Sequence, residues 1–292
     1  MPVCKCIKSL VMPLLVAVSV VSPNVVIAEE KAIRMAIISL SSPAKIHKQW
    51  QGFASYLSKE IGRDVNIIVP RGFKKIKQAV ENNNVDIFYV NSHVFYKLKQ
   101  SDKAVAIAQM QNLDGITVSN SVMFVRSDSG VNELQDLKNE KVAFVSPMGA
   151  GGYLAPRASF YQHGIKTKTD TKEQFTKNLS SSIHKVLLGD VKAGTMCGLN
   201  FKLMSNRLKA GDLKIIATSP DYPENVFAAR PGLPAELRNK ITETMVTMYS
   251  DVDGNEILEK MNTMKIKKFV KYNAKSEELT KYLLEAGGFN KK

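Results

Sequence analysis

Cysteine is scarce in this chain. The 292 residues hold three, Cys4, Cys6 and Cys197, which is too few for a disulfide-stapled scaffold. Histidine is nearly as rare. His47, His93, His163 and His184 are too far apart to form a metal-ligand spacing, so no metal is expected. There is no G-x-S-x-G elbow, no GxGxxG after a strand and no Walker lysine. With no nucleophile–base pair in sight, no catalytic residue and no cofactor are expected, and the chain does not read as an enzyme. Glycine (17) and proline (11) are at ordinary levels, which excludes collagenous and low-complexity architectures. Acidic residues are in deficit: 27 Asp and Glu face 41 Lys and Arg, a net charge of +14. That balance favours anionic partners of any size. With 44% apolar and 23% charged residues, the chain is globular rather than disordered, and its length suits one or two domains.

Residues 1–28 have the order of a secretory signal peptide. Lys5 and Lys8 form a positive start, and Leu10 to Val21 is apolar but for Pro13 and Ser19. Val26-Ile27-Ala28 makes a cleavage site before Glu29-Glu30. A membrane anchor would need about 18 uninterrupted apolar residues, and the run here is shorter. Cleavage after Ala28 removes two lysines and no acid, leaving +12, and leaves Cys197 as the one thiol. A lone thiol in an exported chain suits a bacterial periplasm, where nucleic acid is not an expected partner. A soluble, monomeric periplasmic protein is the expectation.

The mature chain alternates short apolar runs with helical periodicity. Ile33–Ile38 reads as a buried strand, followed by Ile46, Trp50, Phe53 and Leu57 at helical spacing, with Gly62 ending the helix. Asp64–Val69 and Val85–Val90 are further strands, and Phe73–Val80 is a basic helix between them. Thr117–Arg126 reads as one long strand. A second α/β set then begins: a helix around Val131–Leu137, a strand over Val142–Val145, and a helix from Gly152 to His163, with Gly164 as its cap. Asp170-Thr171-Lys172-Glu173 has a capping-box pattern that predicts a helix start. Ala193–Met196, Leu213–Ala217 and Val226–Arg230 read as strands, and Leu233 to Met248 as a helix. The pattern predicts an α/β clam-shell of two lobes joined by two crossing strands, Val118–Val125 and Val226–Arg230. Its divisions are a signal peptide over 1–28, the first part of lobe 1 over 29–126, lobe 2 over 127–221, and the return with C-terminal helices over 222–292. Ligands in such folds sit between the lobes, at strand carboxyl ends and helix amino ends, where unpaired N–H groups favour anions.

Site candidates follow from that placement. Gly149-Ala150-Gly151-Gly152-Tyr153 directly precedes a helix, so its backbone can approach a ligand with amides forward. An ordinary strand-to-helix turn would look the same. Ser41 and Ser42 follow the first strand, Asn91, Ser92 and His93 the third, and Ser181 lies in the Ser180–Ser182 run before a second-lobe helix. Each could equally be a polar turn or helix cap. Phe73 opens the basic helix. The lysines around 74–77 and 265–271 read as solvated faces, and Trp50 reads as core.

Asp136-Leu137-Lys138, Lys141-Val142-Ala143-Phe144, Gly152-Tyr153-Leu154-Ala155-Pro156-Arg157 and Gly164-Ile165 together resemble the periplasmic phosphate/phosphite/phosphonate-binding protein family. Val85-Asp86-Ile87, Val186–Asp190 and Leu233–Arg238 are similar to its other landmarks. The resemblance runs from about Arg34 to about Met248. It implies a periplasmic-binding-protein type II fold and delivery of a small anion, phosphonate-like or related, to an ABC permease. The alternative keeps the fold but couples it to a membrane sensor protein, a histidine kinase or diguanylate cyclase. Where that family carries Ser-Thr-Ser before Gly-Tyr-Leu, this chain has Gly149, Ala150 and Gly151. Its cleft tyrosine corresponds to Phe73, its ligand histidine falls near Leu179, and its acidic residue before Ala193-Gly194 is Lys192. The resemblance thus implies that several hydroxyl and imidazole ligands are missing together, and with them tight binding of simple alkylphosphonates.

Overall fold

Apolar runs of four to seven residues become strands here because helices cover both faces of each sheet. A computed structural model describes residues 1–3, 31–38, 42–207 and 211–289. The expected cleavage site after Ala28 and the candidate Ser41 lie outside these residues. The first half of the chain contributes β1 (Ile33–Ile37), α1 (Pro43–Ile61), β2 (Val65–Ile68), α2 (Phe73–Glu81), β3 (Ile87–Val90), α3 (Ser92–Lys99) and β4 (Val105–Gln111). Next come β5 (Val118–Ser119), β6 (Ser121–Arg126), β7 (Lys141–Phe144), α4 (Ala155–Gln162), α5 (Thr167–Asp170), β8 (Lys172–Phe175), α6 (Leu179–Leu187), β9 (Ala193–Cys197), α7 (Gly198–Arg207) and β10 (Leu213–Thr218). The chain finishes with β11 (Tyr222–Pro223), β12 (Val226–Ala229), α8 (Ala235–Thr247), α9 (Val252–Met261), β13 (Lys268–Val270) and α10 (Lys275–Ala286).

Two mixed sheets result, in the orders β13-β4-β12-β3-β1-β2 and β10-β6-β9-β7-β8. Alternation along β1, β3 and β12 divides their side chains between two cores. Met35, Tyr89 and Phe227 join Trp50 and Phe53 of α1, while Ala36, Phe88 and Ala228 face Ile76 of α2 and Phe95 of α3. Trp50 is only 2% exposed, as its helical spacing predicts. Gly62 ends α1 in the left-handed region at φ 74°, where a side chain would be strained. In the second sheet, Phe144 and Tyr153 pack with Phe160 of α4 on one face, and Phe124 with Ile183 of α6 and Phe201 of α7 on the other.

Three local expectations are corrected. Thr117–Arg126 is not one strand: β5 and β6 part at Asn120, and β6 already pairs with β9 and β10 in the second sheet. The passage between sheets is instead made by β5 and β11, a two-stranded antiparallel pair with Tyr222 opposite Ser119. Val226–Ala229 lies centrally in the first sheet, antiparallel to both β3 and β4. The capping pattern at 170–173 does not start a helix. Lys172–Phe175 pairs with β7 as an edge strand, and Asp170 turns back to accept from the Lys166 amide at 2.9 Å. The helix expected over 131–137 shrinks to a 3-10 turn at Leu134–Leu137, closed by reciprocal Glu133 and Asp136 caps.

The C-terminal helix adds a connection that the sequence pattern did not suggest. α10 follows β13 of the first sheet and packs on both α3 and α4. At its start, Ser276 Oγ donates to Gln109 Oε1 at 3.0 Å and Lys99 pairs with Glu277. Beyond its end, buried Arg157 of α4 donates to the Gly287 carbonyl at 2.6 Å, and its guanidinium lies 4.3 Å from the Phe289 ring centroid.

Candidate functional site

A cleft of about 710 Å³ opens between the two sheets. Its second-lobe wall contains the turn Gly149–Gly152, which leads into α4 through one π-type turn, Ala150–Leu154. Such turns recur at functional sites because they re-aim backbone groups. Carbonyls in this turn are tied down from behind. Ser121 Oγ donates to Gly151 O at 2.6 Å, and Thr195 Oγ1 and the Val145 amide donate to Gly152 O at 3.1 and 3.2 Å. Helix geometry leaves the first amides, Ala150 to Tyr153, without intrahelical acceptors. The protein thus holds the turn by the carbonyl oxygens of Gly151 and Gly152.

Gly151 and Gly152 line the cleft, and packing behind the turn also requires them to be glycine. A Cβ on Gly152 would lie 2.8 Å from Cβ of Val145, and one on Gly151 would lie 2.4 Å from the Tyr222 hydroxyl. Gly149, Ala150, Phe73 and Asn91 also line the cleft. Asn91 caps α3 by accepting from the Val94 amide at 2.9 Å, and its Nδ2 reaches across to the Met148 carbonyl at 3.1 Å.

Several candidates fall elsewhere. Tyr153 points away from the cleft, because its hydroxyl donates to Glu173 at 2.9 Å and accepts from Arg157 at 2.8 Å. Burial, reinforced by Glu173, pushes that phenol up to about 12. Ser92 and His93 follow Asn91 into α3 and are buried against the C-terminal turn, with the His93 ring 5.6 Å from that of Phe289. Among the described residues the Ser92 hydroxyl and both His93 nitrogens have no hydrogen-bond partner, and burial, with Lys97 nearby, lowers His93 to about 3. Ser181 serves α6 internally, its amide donating to Asn178 Oδ1 at 2.8 Å, while Asn178, Leu179 and Ser180 reach the cleft. Ser42 is the exposed N-cap residue of α1, and its side chain makes no capping hydrogen bond.

The floor of the cleft comes from residues that the sequence reading missed: Cys197, Tyr222, Glu224 and Asn225. Glu224 is 9% exposed and accepts from Ser119 Oγ and, at 3.1 Å, from Asn112 Nδ2. Burial raises its pKa, and those two donors oppose the rise. The Cys197 thiol, hydrogen-bonded to Tyr222, is also pushed up by burial and is no activated nucleophile. Lys45 of α1 and Lys265 complete the charged lining. The one signal in the sequence was the polar run Asp221-Tyr222-Pro223-Glu224-Asn225 beside a chain crossing. Among the described residues no cluster of His, Cys, Asp and Glu could hold a metal.

Two α/β lobes, a paired crossing at their back and an anion-suited cleft between them define a bilobal type II solute-binding protein. The model of the family described as ABC transporter, phosphonate, periplasmic substrate-binding protein matches residues 35–276. This chain belongs to that family. It is 26% identical over 250 residues to the phosphonates-binding periplasmic protein of Escherichia coli strain K12, covering 83% of this chain and 74% of that one. It is 24% identical over 230 residues to the tetrathionate sensor histidine kinase of Salmonella typhimurium, covering 72% of this chain but 38% of the kinase. In fold it is similar to a Xanthomonas citri protein solved bound to ATP, with a TM-score of 0.77, 14% identity, and coverage of 88% and 97% of the two chains. The family is one of periplasmic substrate-binding proteins that serve ABC transport.

Proposed function

We propose that the mature protein captures a small oxyanion, phosphonate-like or related, in this cleft and delivers it to an ABC permease as a monomer, without catalysis. The observation that carries the reading is the Gly149–Gly152 turn, whose oxygens are held by the protein and whose leading amides are left for a ligand. Lys45 and Lys265 at the cleft add positive charge. The moving bodies in this reading divide at the β5/β11 pair, near residues 120 and 220, and again along α10, and ligand closes them by hinge bending. Among the described residues no helix is long and apolar enough to cross a membrane. Export with cleavage after Ala28 completes the reading, and N-terminal sequencing of periplasmic protein should begin at Glu29.

A thermal-shift screen of phosphate, phosphite, phosphonates and sulfonates, followed by isothermal titration of hits, tests capture directly. Stabilisation by an oxyanion with lower scattering radius is the expected result. A folded protein indifferent to the whole panel would refute it. The second reading, a sensing subunit for a membrane kinase, is favoured by the similarity to the tetrathionate sensor kinase. Co-purification with a permease or with a kinase separates the two.

A further inference from the structure

The resemblance places a serine where this chain has Gly151, yet the space of that side chain is not empty. An ideal Cβ at Gly151 would sit 2.4 Å from the Tyr222 hydroxyl and 2.6 Å from its Cζ. The phenol oxygen therefore occupies the volume that a serine side chain would fill. It belongs to the crossing strand β11 rather than to the turn, and it lines the cleft. Its position is fixed by pairing of β11 with β5 and by hydrogen-bond reach to Ser119 and Cys197. Ser119 Oγ itself donates to Glu224, and the Cys197 thiol, kept protonated by burial, can donate to the phenol oxygen, so the single phenol proton goes to one acceptor, Ser119 Oγ or a ligand that enters the cleft. Burial holds the phenol protonated, hence a donor, well above the ordinary tyrosine range.

The rest of the cleft is not suited to a ligand made only of oxygen atoms. Ile38 and Met264 on the first lobe, and Leu179, Leu199, Leu203 and Met204 on the second, are all partly exposed lining residues. A cleft of about 710 Å³ lies within the range of roughly 300–1,000 Å³ typical for drug-sized ligands. Methylphosphonate would leave most of it wet.

Resting on the oxyanion-capture reading, we infer that Tyr222 replaces the missing serine as the side-chain donor to the oxyanion, and that the ligand is an organic oxyanion with an apolar tail held between those two walls. A tail methylene moved from water to an apolar wall gives a roughly fourfold gain, the equivalent of about 0.8 kcal/mol.

The test is isothermal titration of the mature protein with phosphate, methyl-, butyl- and octylphosphonate, phenylphosphonate and octanesulfonate. Affinity should rise along the alkyl series by a few-fold per methylene and be weakest for phosphate. Tyr222→Phe should lower affinity for every binding member by roughly tenfold or more, as expected for a hydrogen bond to a charged group. A Tyr222→Ala, Gly151→Ser double variant, which reopens the space and returns a hydroxyl to it, should bind more tightly than Tyr222→Ala alone. Circular dichroism and melting establish that each variant folds. Tight methylphosphonate binding with no gain along the series would overturn the tail and leave oxyanion capture standing. Unchanged affinity in folded Tyr222→Phe would overturn the donor assignment. No binding by any member would overturn the capture reading, and this inference with it.

Discussion

The two ends of the first sheet are built from the same three strands and do opposite work. At one end Asp86, just before β3, accepts from the Arg34 amide at 2.9 Å, from Arg34 Nε at 2.8 Å and from Arg230 Nε at 2.8 Å. Arg34 belongs to β1 and Arg230 follows β12, so one carboxylate ties three strands together. At the other end, Asn91 after β3 and Glu224 and Asn225 before β12 line the cleft. Charge whose every partner is supplied by the protein holds the fold. At the cleft end Asn91 and Glu224 are bonded within the protein too, but they border the open space of the cleft instead of closing off a strand end. The landmark Val85-Asp86-Ile87 belongs to the first kind, although by resemblance alone it could pass for the second.

The contrast can be broken most sharply at Asp86. Asp86→Ala leaves two guanidiniums without their shared partner. Breaking a buried pair costs up to about 5 kcal/mol, but both arginines are over a quarter exposed, so a loss of about 3 kcal/mol is expected. That corresponds to a melting point lower by roughly 6–10 °C. Oxyanion affinity in the folded variant should not change; if titration showed it collapsing with stability, the two ends would not be separable.

Acid should act on the same end by a smaller amount. Burial alone would raise Asp86, but hydrogen bonds from Arg34 and Arg230 outweigh it and bring the carboxyl down to about 2. A depressed pKa contributes stability that is full above the unfolded value near 3.9 and is lost as pH falls through the folded value. The contribution is about 2 kcal/mol, and urea melts of wild type and Asp86→Ala should converge between roughly pH 4 and pH 2. Parallel curves over that window would show that another carboxylate dominates.

At the cleft end the effects on stability shrink while those on binding grow. Asn91→Ala removes the α3 cap, at about 1 kcal/mol, and the 3.1 Å contact to Met148 across the cleft. Small-angle scattering of the unliganded variant should therefore show a more open average shape; an unchanged profile would mean that the contact restrains nothing. Lys45→Ala should leave the unfolding free energy within about 0.5 kcal/mol of wild type, since Lys45 is exposed. It should still weaken oxyanion binding several-fold at low salt, with the difference fading as ionic strength rises.

Local patterns announced most of this fold. Trp50 and Leu57 with Gly62, or Gly164 after α4, signal themselves within a few residues, because helix periodicity and left-handed caps are local physics. What was not legible depends on partners far along the chain. Lys172–Phe175 carries a helix-start pattern, yet the free edge of β7 claims it as a strand. His93 follows a strand end next to a true lining residue, and only the fold shows that one step into α3 buries it. The need for glycine at 151 could be read from the sequence, but its reason could not: the group that would collide is Tyr222, which is brought there by the pairing of β5 with β11.

The α10 segment has a consequence of parity. Two passages between the sheets would return the chain to the lobe on which it set out. The run from Glu277 to Gly287 makes a third, anchored on the first lobe by Lys99 and Gln109 and on the second by Arg157. In the clam-shell reading, an odd number puts Ile33 and Gly287 on different lobes. A donor and acceptor dye placed beside those two residues would then report any relative rotation as a change in energy transfer, with no ligand identified in advance. Each half of the protein already carries one end of its own ruler.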